Sequence, residues 1–231
     1  MALKDYVWLI LLTAHALAAG EAAWVSLFDG KTTQGWVEVT GKPFPLESWK
    51  LEDGCLKAFP NDIKGQQDLR TVGLYRYYEL EWEWKLEAIG NSGVKYLLGR
   101  IDEWTPKGST TRQARARGLE YQLADDANPD AIEPKRYCSA LYSAIAPSPK
   151  LPCAPDVFHT SRIVVRQDRI EHWLDGTKVA SFAPTDPEVM KVRQTNAPKV
   201  GQAGFADGRS PVALQNHGSI AWFRKIRIRE L

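Results

Sequence analysis

The stretch from Tyr77 to Leu86, YYELEWEWKL, alternates apolar and charged side chains almost without a break. Successive side chains of a strand point to opposite faces, so Tyr78, Leu80, Trp82, Trp84 and Leu86 form an apolar face. Glu79, Glu81, Glu83 and Lys85 form the wet one. A helical period would scatter the two sets around a cylinder, whereas a half-buried strand separates them. The chain must therefore cover one side of a sheet, and it supplies further strands to do so. Short apolar or alternating runs occur at Ser48–Leu51, Cys55–Ala58, Gly93–Leu98, Leu119–Leu123, Ser161–Gln167, Arg169–Leu174, Thr177–Phe182, Ala213–Gln215 and Ala221–Arg229. Asp53-Gly54 and Asp175-Gly176 sit between such runs with the composition of tight hairpin turns. The ends near Trp24–Phe28 and Trp222–Leu231 are expected to pair and close the structure. No long segment sustains a 3.6-residue period, and no repeat or linker divides the chain. The expected fold is all-β, a jelly-roll sandwich of two antiparallel sheets.

The N-terminus adds a second expectation. Lys4 precedes an apolar run from Val7 to Leu17, and Ala16-Leu17-Ala18 gives the small-x-small pattern of a cleavage site. The run is too short to span a bilayer. Residues 1–18 are therefore expected to be an export signal and residues 24–231 a single domain, periplasmic or secreted, with no membrane partner after cleavage. Thirty Lys and Arg balance 28 Asp and Glu, without a run of like charge, so no nucleic-acid partner is expected. The interrupted cluster Arg112, Arg115, Arg117 reads as a solvated loop. Cys138 and Cys153 can close a loop of about 15 residues if their backbones approach, and Cys55 reads as a small buried hydrophobe. No CxxC or Cys–His spacing suggests a metal site. No cofactor is expected. Asp125, Asp126 and Asp130 form an acidic loop open to a divalent cation, but without EF-hand spacing. Of nine Trp, eight Tyr and seven Phe some fill the core, but flat amphipathic rings also suit the faces of sugars.

Three short segments can carry chemistry. In Leu119–Leu123, Glu120 and Gln122 share a face, which is either a concave binding surface or plain solvent-facing sheet. In Asn91–Tyr96, Lys95 shares a face with Gly93, and a glycine there leaves room for a ligand. In Leu214–Gly218, Gln215 and His217 share a face. His172, inside an expected hairpin, reads as structural. The segment from about Asp125 to Pro155 is long for a structureless connection, which hints at function. No phosphate-binding Gly loop, HExxH, GxSxG or nucleophilic Cys setting is present.

Several segments taken in order resemble one family, the 3-keto-disaccharide hydrolase domains, which are concanavalin-like jelly rolls. They are Leu27-Phe28-Asp29-Gly30-Lys31 with Gly35-Trp36, Trp49–Gly54, Tyr78-Glu79-Leu80, Asn91–Tyr96 and Gly118–Leu123. Asp125-Asp126, Asn128–Ala131, Ala140-Leu141-Tyr142, Glu171–Gly176, Leu214–Gly218 and Trp222–Ile226 follow. Asn216 stands where the family usually has Asp, and Leu97 where many members carry Arg. The resemblance implies a carbohydrate substrate whose C3 hydroxyl is already a ketone, cleaved by elimination and rehydration. It assigns Glu120, His217 and Lys95 to catalysis, and Asn91, Gln122, Tyr142, Gln215, Trp222 and Arg224 to substrate binding. An ordinary glutamate, with a pKa of about 4.3, is a weak base, so Glu120 would need partial burial. The alternative is a carbohydrate-binding module without catalysis, which a flat aromatic strip would favour over a pocket holding Glu120, Lys95 and His217. A conventional two-carboxylate glucanase is a weaker third reading.

Overall fold

A computed structural model describes residues 22–60, 67–105, 107, 113–200, 204–205 and 208–231; the expected signal, 1–18, lies outside them. The alternating stretch is a strand, β6 (Tyr78–Leu86), with each of its five apolar residues buried. Its wet face pairs across to the long C-terminal strand β13 (Ala221–Glu230): Glu79 with Arg229 and Glu83 with Arg224 at 3.0 and 2.7 Å. The larger sheet runs in the order β11 (Thr177–Phe182), β10 (Ile170–Leu174), β9 (His159–Val165), β6, β13, β4 (Cys55–Ala58) and β3 (Trp49–Glu52). The first strand, β1 (Val25–Ser26), pairs with β13, as the two chain ends predict. The smaller sheet runs β2 (Trp36–Glu38), β5 (Leu69–Thr71), β12 (Ala213–Leu214), β7 (Asn91–Trp104) and β8 (Gln113–Ala124). Neighbouring strands are antiparallel in both, and the two layers form the expected jelly roll.

Aromatic rings fill the space between the layers. Trp82 of β6 meets Tyr121 of β8 edge-on, with ring centroids 5.2 Å apart. The Tyr121 hydroxyl donates to the Trp173 carbonyl and accepts from Ser161, whose oxygen in turn accepts from the Trp84 indole. His172 lies wholly buried in the same layer. Its Nδ1 is 2.9 Å from the Ser139 carbonyl, which can only accept, so Nδ1 donates and Nε2 accepts from the Tyr96 hydroxyl. Burial holds this neutral ring at a pKa of about 4, against an ordinary 6.5. The unfolded chain therefore binds a proton that the fold refuses, and stability is lost as pH falls below 6.5. Between pH 7 and pH 5 the share of the unfolding free energy owed to His172 should drop by about 2 kcal/mol. Urea melts of wild type and His172→Gln at the two pH values isolate this share from those of Glu120 and His217, and the same pH dependence in both proteins would contradict a neutral buried ring.

Two glycines and a bulge bend the β7–β8 hairpin. Leu97 adopts a left-handed φ of 47°, and the register shifts between Tyr96 and Arg100. A Cβ on Gly118 would stand 2.6 Å from the Tyr96 carbonyl, and one on Gly99 would collide with the carbonyl of Asn196. Only glycine permits such close backbone approach. The distal half of the hairpin consequently curls back over the smaller sheet, where Ala114 and Ala116 pack with Val39, Leu98 and Ala213. Among the described residues there is one α-helix, α1 (Pro187–Thr195), not expected from periodicity, since only Val189 of it is buried. Its start is legible in retrospect: Asp186 caps the Glu188 N–H at 2.9 Å, and Pro187 occupies the first turn. Arg100 ties the end of α1 to the hairpin through the Thr195 and Ala197 carbonyls.

The long segment after β8 is structured too. The Gln122 N–H donates to Ala140, Ser139 N–H to the Gln122 carbonyl, and Tyr142 N–H to the Glu120 carbonyl, so the segment covers the exposed edge of β8. Cys138 and Cys153 form a disulfide across Cα atoms 6.4 Å apart, and Cys55 is free and buried. The acidic loop is engaged with its own surroundings: Asp125 accepts from Ile89 and Ala127 N–H, and Asp126 from Cys153 N–H and Lys150. Among the described residues no cluster of three His, Cys, Asp or Glu could hold a metal, and no helix is long and apolar enough to cross a membrane.

Candidate active site

Pairing in the smaller sheet sets the site. On β7 and β8, Lys95 lies opposite Glu120 and Gly93 opposite Gln122, while Ala213 of β12 lies opposite Lys95. Just past β12, the Gln215 N–H donates to the Gly93 carbonyl at 2.8 Å. Val94, Tyr96, Leu119, Tyr121 and Leu123 point inward to the core, so their neighbours Lys95, Glu120 and Gln122 must point away from it. They face a cavity of about 490 Å³ walled by the smaller sheet, the segment after β8, and α1. Asn91, Lys95, Glu120, Gln122, Tyr142, Gln215 and His217 all line it.

Lys95 does not reach for Glu120 across the strand pair. Its ammonium lies 3.0 Å from Asp68, a fully buried carboxylate that also accepts from the Ala116 and Asn216 N–H groups. Asp68 escaped the sequence reading because nothing local marks it: 27 residues separate it from Lys95. Glu120 is left with no hydrogen bond or ion pair to its carboxylate among the described residues. Burial is the largest influence on it and pushes its pKa above the ordinary 4.5. Repulsion from Asp68 adds to that rise, while the charges of Lys95, Arg115 and Arg117 oppose it.

Gly93 has a different use from the one its sequence context suggests. The space over it is filled by Glu120: a Cβ at position 93 would lie 2.6 Å from Glu120 Oε1 and 3.0 Å from its Cγ. The missing side chain is what lets the carboxylate lie flat on the sheet. Gly93→Ala should therefore displace Glu120 while the backbone, at an ordinary negative φ, stays in place. Turnover should fall roughly tenfold or more, since an ångström of misplacement at a reacting group is costly. The melting temperature should stay within a few degrees of wild type, and steady-state kinetics alongside thermal melts check both halves.

The amides form a second group. The Gln122 side chain donates to Asn91 at 3.3 Å, yet the side-chain Oε1 atoms of Gln122 and Gln215 are buried without any partner. Buried acceptors without donors are costly, and a ligand rich in hydroxyls supplies what they lack. His217, half-buried on the same wall, has its pKa held below the ordinary 6.5. Burial is the main cause and the Arg115 and Lys95 charges add to it; a hydrogen bond to its own backbone and the charge of Asp130 work the other way.

Two expected binding residues lie elsewhere. Trp222 and Arg224 are on β13 of the larger sheet, where Ala221 and Phe223 take the inward positions. Alternation turns Trp222 and Arg224 to the outer surface, on the opposite side of the sandwich from the cavity. There the Lys57 and Lys85 ammonium groups sit over Trp222, at 4.9 and 4.3 Å, and Arg224 is bound to Glu83. Four tryptophans serve the core, Trp36, Trp49, Trp82 and Trp84, each at most 2% exposed. Tyr142 and His217 supply the rings among the residues lining the cavity. Conversely, Arg115 and Arg117 are not solvated-loop residues: they sit on β8 and line the cavity, because the hairpin bends over it. Arg112 lies outside the described residues. Asp130 of the acidic loop joins the lining, and the α1 residues Glu188, Lys191, Val192 and Thr195, with Asn196 beyond them, complete a wall that no local pattern announced.

Comparison with known proteins agrees with this architecture. The model of the 3-keto-alpha-glucoside-1,2-lyase-like domain matches residues 23–229. A 3-keto-disaccharide hydrolase of Bacteroides thetaiotaomicron is 27% identical over 235 aligned positions, covering 90% of this chain and 78% of its own. A crystal structure of a candidate glycosyl hydrolase from Parabacteroides distasonis superposes with a TM-score of 0.72 at 27% identity, over 90% of this chain and 94% of that one. A second from the same organism gives 0.64 at 24% identity, over 90% and 100%, and speaks for the fold alone. With nearly its whole length matched in order, the chain belongs to the family of 3-keto-alpha-glucoside-1,2-lyase-like domains.

Proposed function

We propose that this protein is an exported enzyme that cleaves glycosides whose sugar already carries a ketone at C3, by elimination and then hydration. The observation that carries the reading is Glu120, a carboxylate facing the cavity, unpaired among the described residues and raised above the ordinary glutamate pKa. A carboxylate committed to a salt bridge would be a poorer base. One made more basic by burial is suited to taking a proton.

The C3 ketone acidifies the hydrogen on C2. Glu120 takes that proton, and the C–H electron pair becomes the C1=C2 bond as the C1–O bond breaks. The enolate charge that develops on the ketone oxygen is met by Lys95, which has donors beyond the one given to Asp68, and by the amides of Asn91 and Gln122. His217 relays a proton to the departing oxygen. Water then adds its hydroxyl to C1, Glu120 returns its proton to C2, and the second hydrogen of water replaces the one His217 gave. The sum is hydrolysis with every group restored.

A binding module without catalysis would be expected to show a flat strip of rings. The cavity instead offers one tyrosine beside a carboxylate, a lysine and an imidazole, which supports the enzyme. The test is incubation of the protein with ordinary disaccharides and with their 3-keto forms, with and without chelator. Sugar should be released from the keto forms only. Release from ordinary disaccharides, or from neither, would overturn the reading.

A further inference from the structure

The cavity is electrically two-sided. At the Gln122 and Gln215 end the lining is amide carbonyl, which suits hydroxyls, while His217, on which Arg115 is the strongest charge, borders both ends. Beyond Glu120 along β8 the lining changes to Arg117, Arg115 and, across from them on α1, Lys191. Glu120 thus stands between a hydroxyl-binding end and a cationic end.

The charges at the cationic end are only partly spoken for. Arg117 gives its Nε to Asp102 at 2.8 Å, and its two terminal amino groups bond nothing among the described residues. Asp102 itself is shared by three cations, since Arg100 at 2.8 Å and Lys199 at 3.5 Å also approach it. Lys191 is exposed and forms no ion pair among the described residues. The carboxylate nearest it on the helix, Glu188, is held by Lys135 at 2.9 Å. The field of this end reaches the reacting groups, because Arg115 lowers the pKa of both Glu120 and His217 and Arg117 that of Glu120. A guanidinium with free terminal donors, beside a lysine, is a fitting receptor for a planar or tetrahedral oxyanion.

We propose that the half of the cavity bounded by Arg115, Arg117 and Lys191 is a leaving-group subsite for an aglycone bearing an oxyanion, a carboxylate, sulfate or phosphate. This rests on the assignment of the other half to a 3-keto sugar. Geometry supports the order of the two halves. Arg117 and Arg115 precede Glu120 by three and five residues, at most about 10 and 16 Å of extended strand, and the bend shortens that span. The bond broken at C1 lies next to the C2 proton that Glu120 removes, so an aglycone directed away from the amides runs toward the arginines. Positive charge there also stabilises an oxygen that leaves with an electron pair.

Two measurements test this, one of them independent of turnover. By calorimetry the free aglycone 4-hydroxybenzoate should bind roughly tenfold or more tightly than the neutral 4-hydroxybenzamide. That preference should shrink at 0.5 M salt, where exposed charges are screened, and should collapse toward one in Arg117→Gln/Lys191→Gln. In turnover, the 3-keto-glucoside of the acid should exceed that of the amide in kcat/KM by a similar factor, chiefly through KM. Equal binding of acid and amide by the wild type, or a preference unchanged in the double variant, overturns the anionic subsite. Turnover of both keto-glucosides at equal kcat/KM overturns it while leaving the keto-glycoside activity standing. Binding of the acid without turnover of either substrate upholds the subsite and sinks the activity.

Discussion

Turnover of a 3-keto-glycoside should fall by about a hundredfold or more in Glu120→Gln, with the fold intact. Glutamine keeps the length and shape of the side chain over Gly93, so nothing in the packing needs to move. What it loses is the ability to accept the C2 proton. Stability should move the other way. The pKa of Glu120 is raised in the fold, so the folded state binds its proton more tightly than the unfolded chain does. That favours folding at low pH, and the contribution is lost as pH rises through the raised pKa, above which the ionised group works against the fold. The melting temperature of Glu120→Gln at pH 7 should therefore equal or exceed that of wild type. A variant that is inactive and less stable would point to a structural glutamate, and one with unchanged turnover would remove Glu120 from the chemistry. Kinetics and thermal melts on one preparation separate the three outcomes.

Asp68→Asn should cost the fold about 3 kcal/mol or more. The substitution leaves an amide near the Ala116 and Asn216 N–H groups but removes the carboxylate that, among the described residues, forms an ion pair with the Lys95 ammonium, which is itself 3% exposed. A buried cation without its partner is far more costly than the intact pair is stabilising. The double variant Asp68→Asn/Lys95→Met should recover most of the loss, because it removes both charges together. Chemical denaturation of the two variants reads the difference, and a single variant as stable as wild type would mean that water already reaches the pair. The pair also has a bearing on catalysis. By holding Lys95 away from its cross-strand neighbour, Asp68 leaves the Glu120 carboxylate free to face the cavity.

Much of the sandwich was legible in the sequence, for a local reason. Period two is a property of neighbouring residues, so the Tyr78–Leu86 face, the Cys55–Ala58 and Thr177–Phe182 strands and the pairing of the chain ends followed from pattern. The short strands β2 and β5, at three residues each, carry too little pattern to be seen. The helix α1 was hidden because it buries a single side chain and has no apolar stripe. Trp222 and Arg224 lie apart from the cavity, which the pattern could not show, because a residue's sheet is set by which strands pair, and pairing partners here lie more than a hundred residues apart.

The candidate site divides along the same line. The sequence by itself determined that Glu120 and Gln122 share one face and that Lys95 shares another with Gly93, because side-chain direction along a strand is local. It could not say whether that face is hollow. Tertiary structure decided this, by bending the β7–β8 hairpin at Leu97, Gly99 and Gly118 and by laying α1 against it, so that a flat sheet face became a walled cavity with arginines at one end. It also brought Asp68 to Lys95 and seated Glu120 on Gly93. Those contacts depend on which backbones approach in space, and residues that meet only after the chain has paired and curled leave no mark on the pattern of either segment.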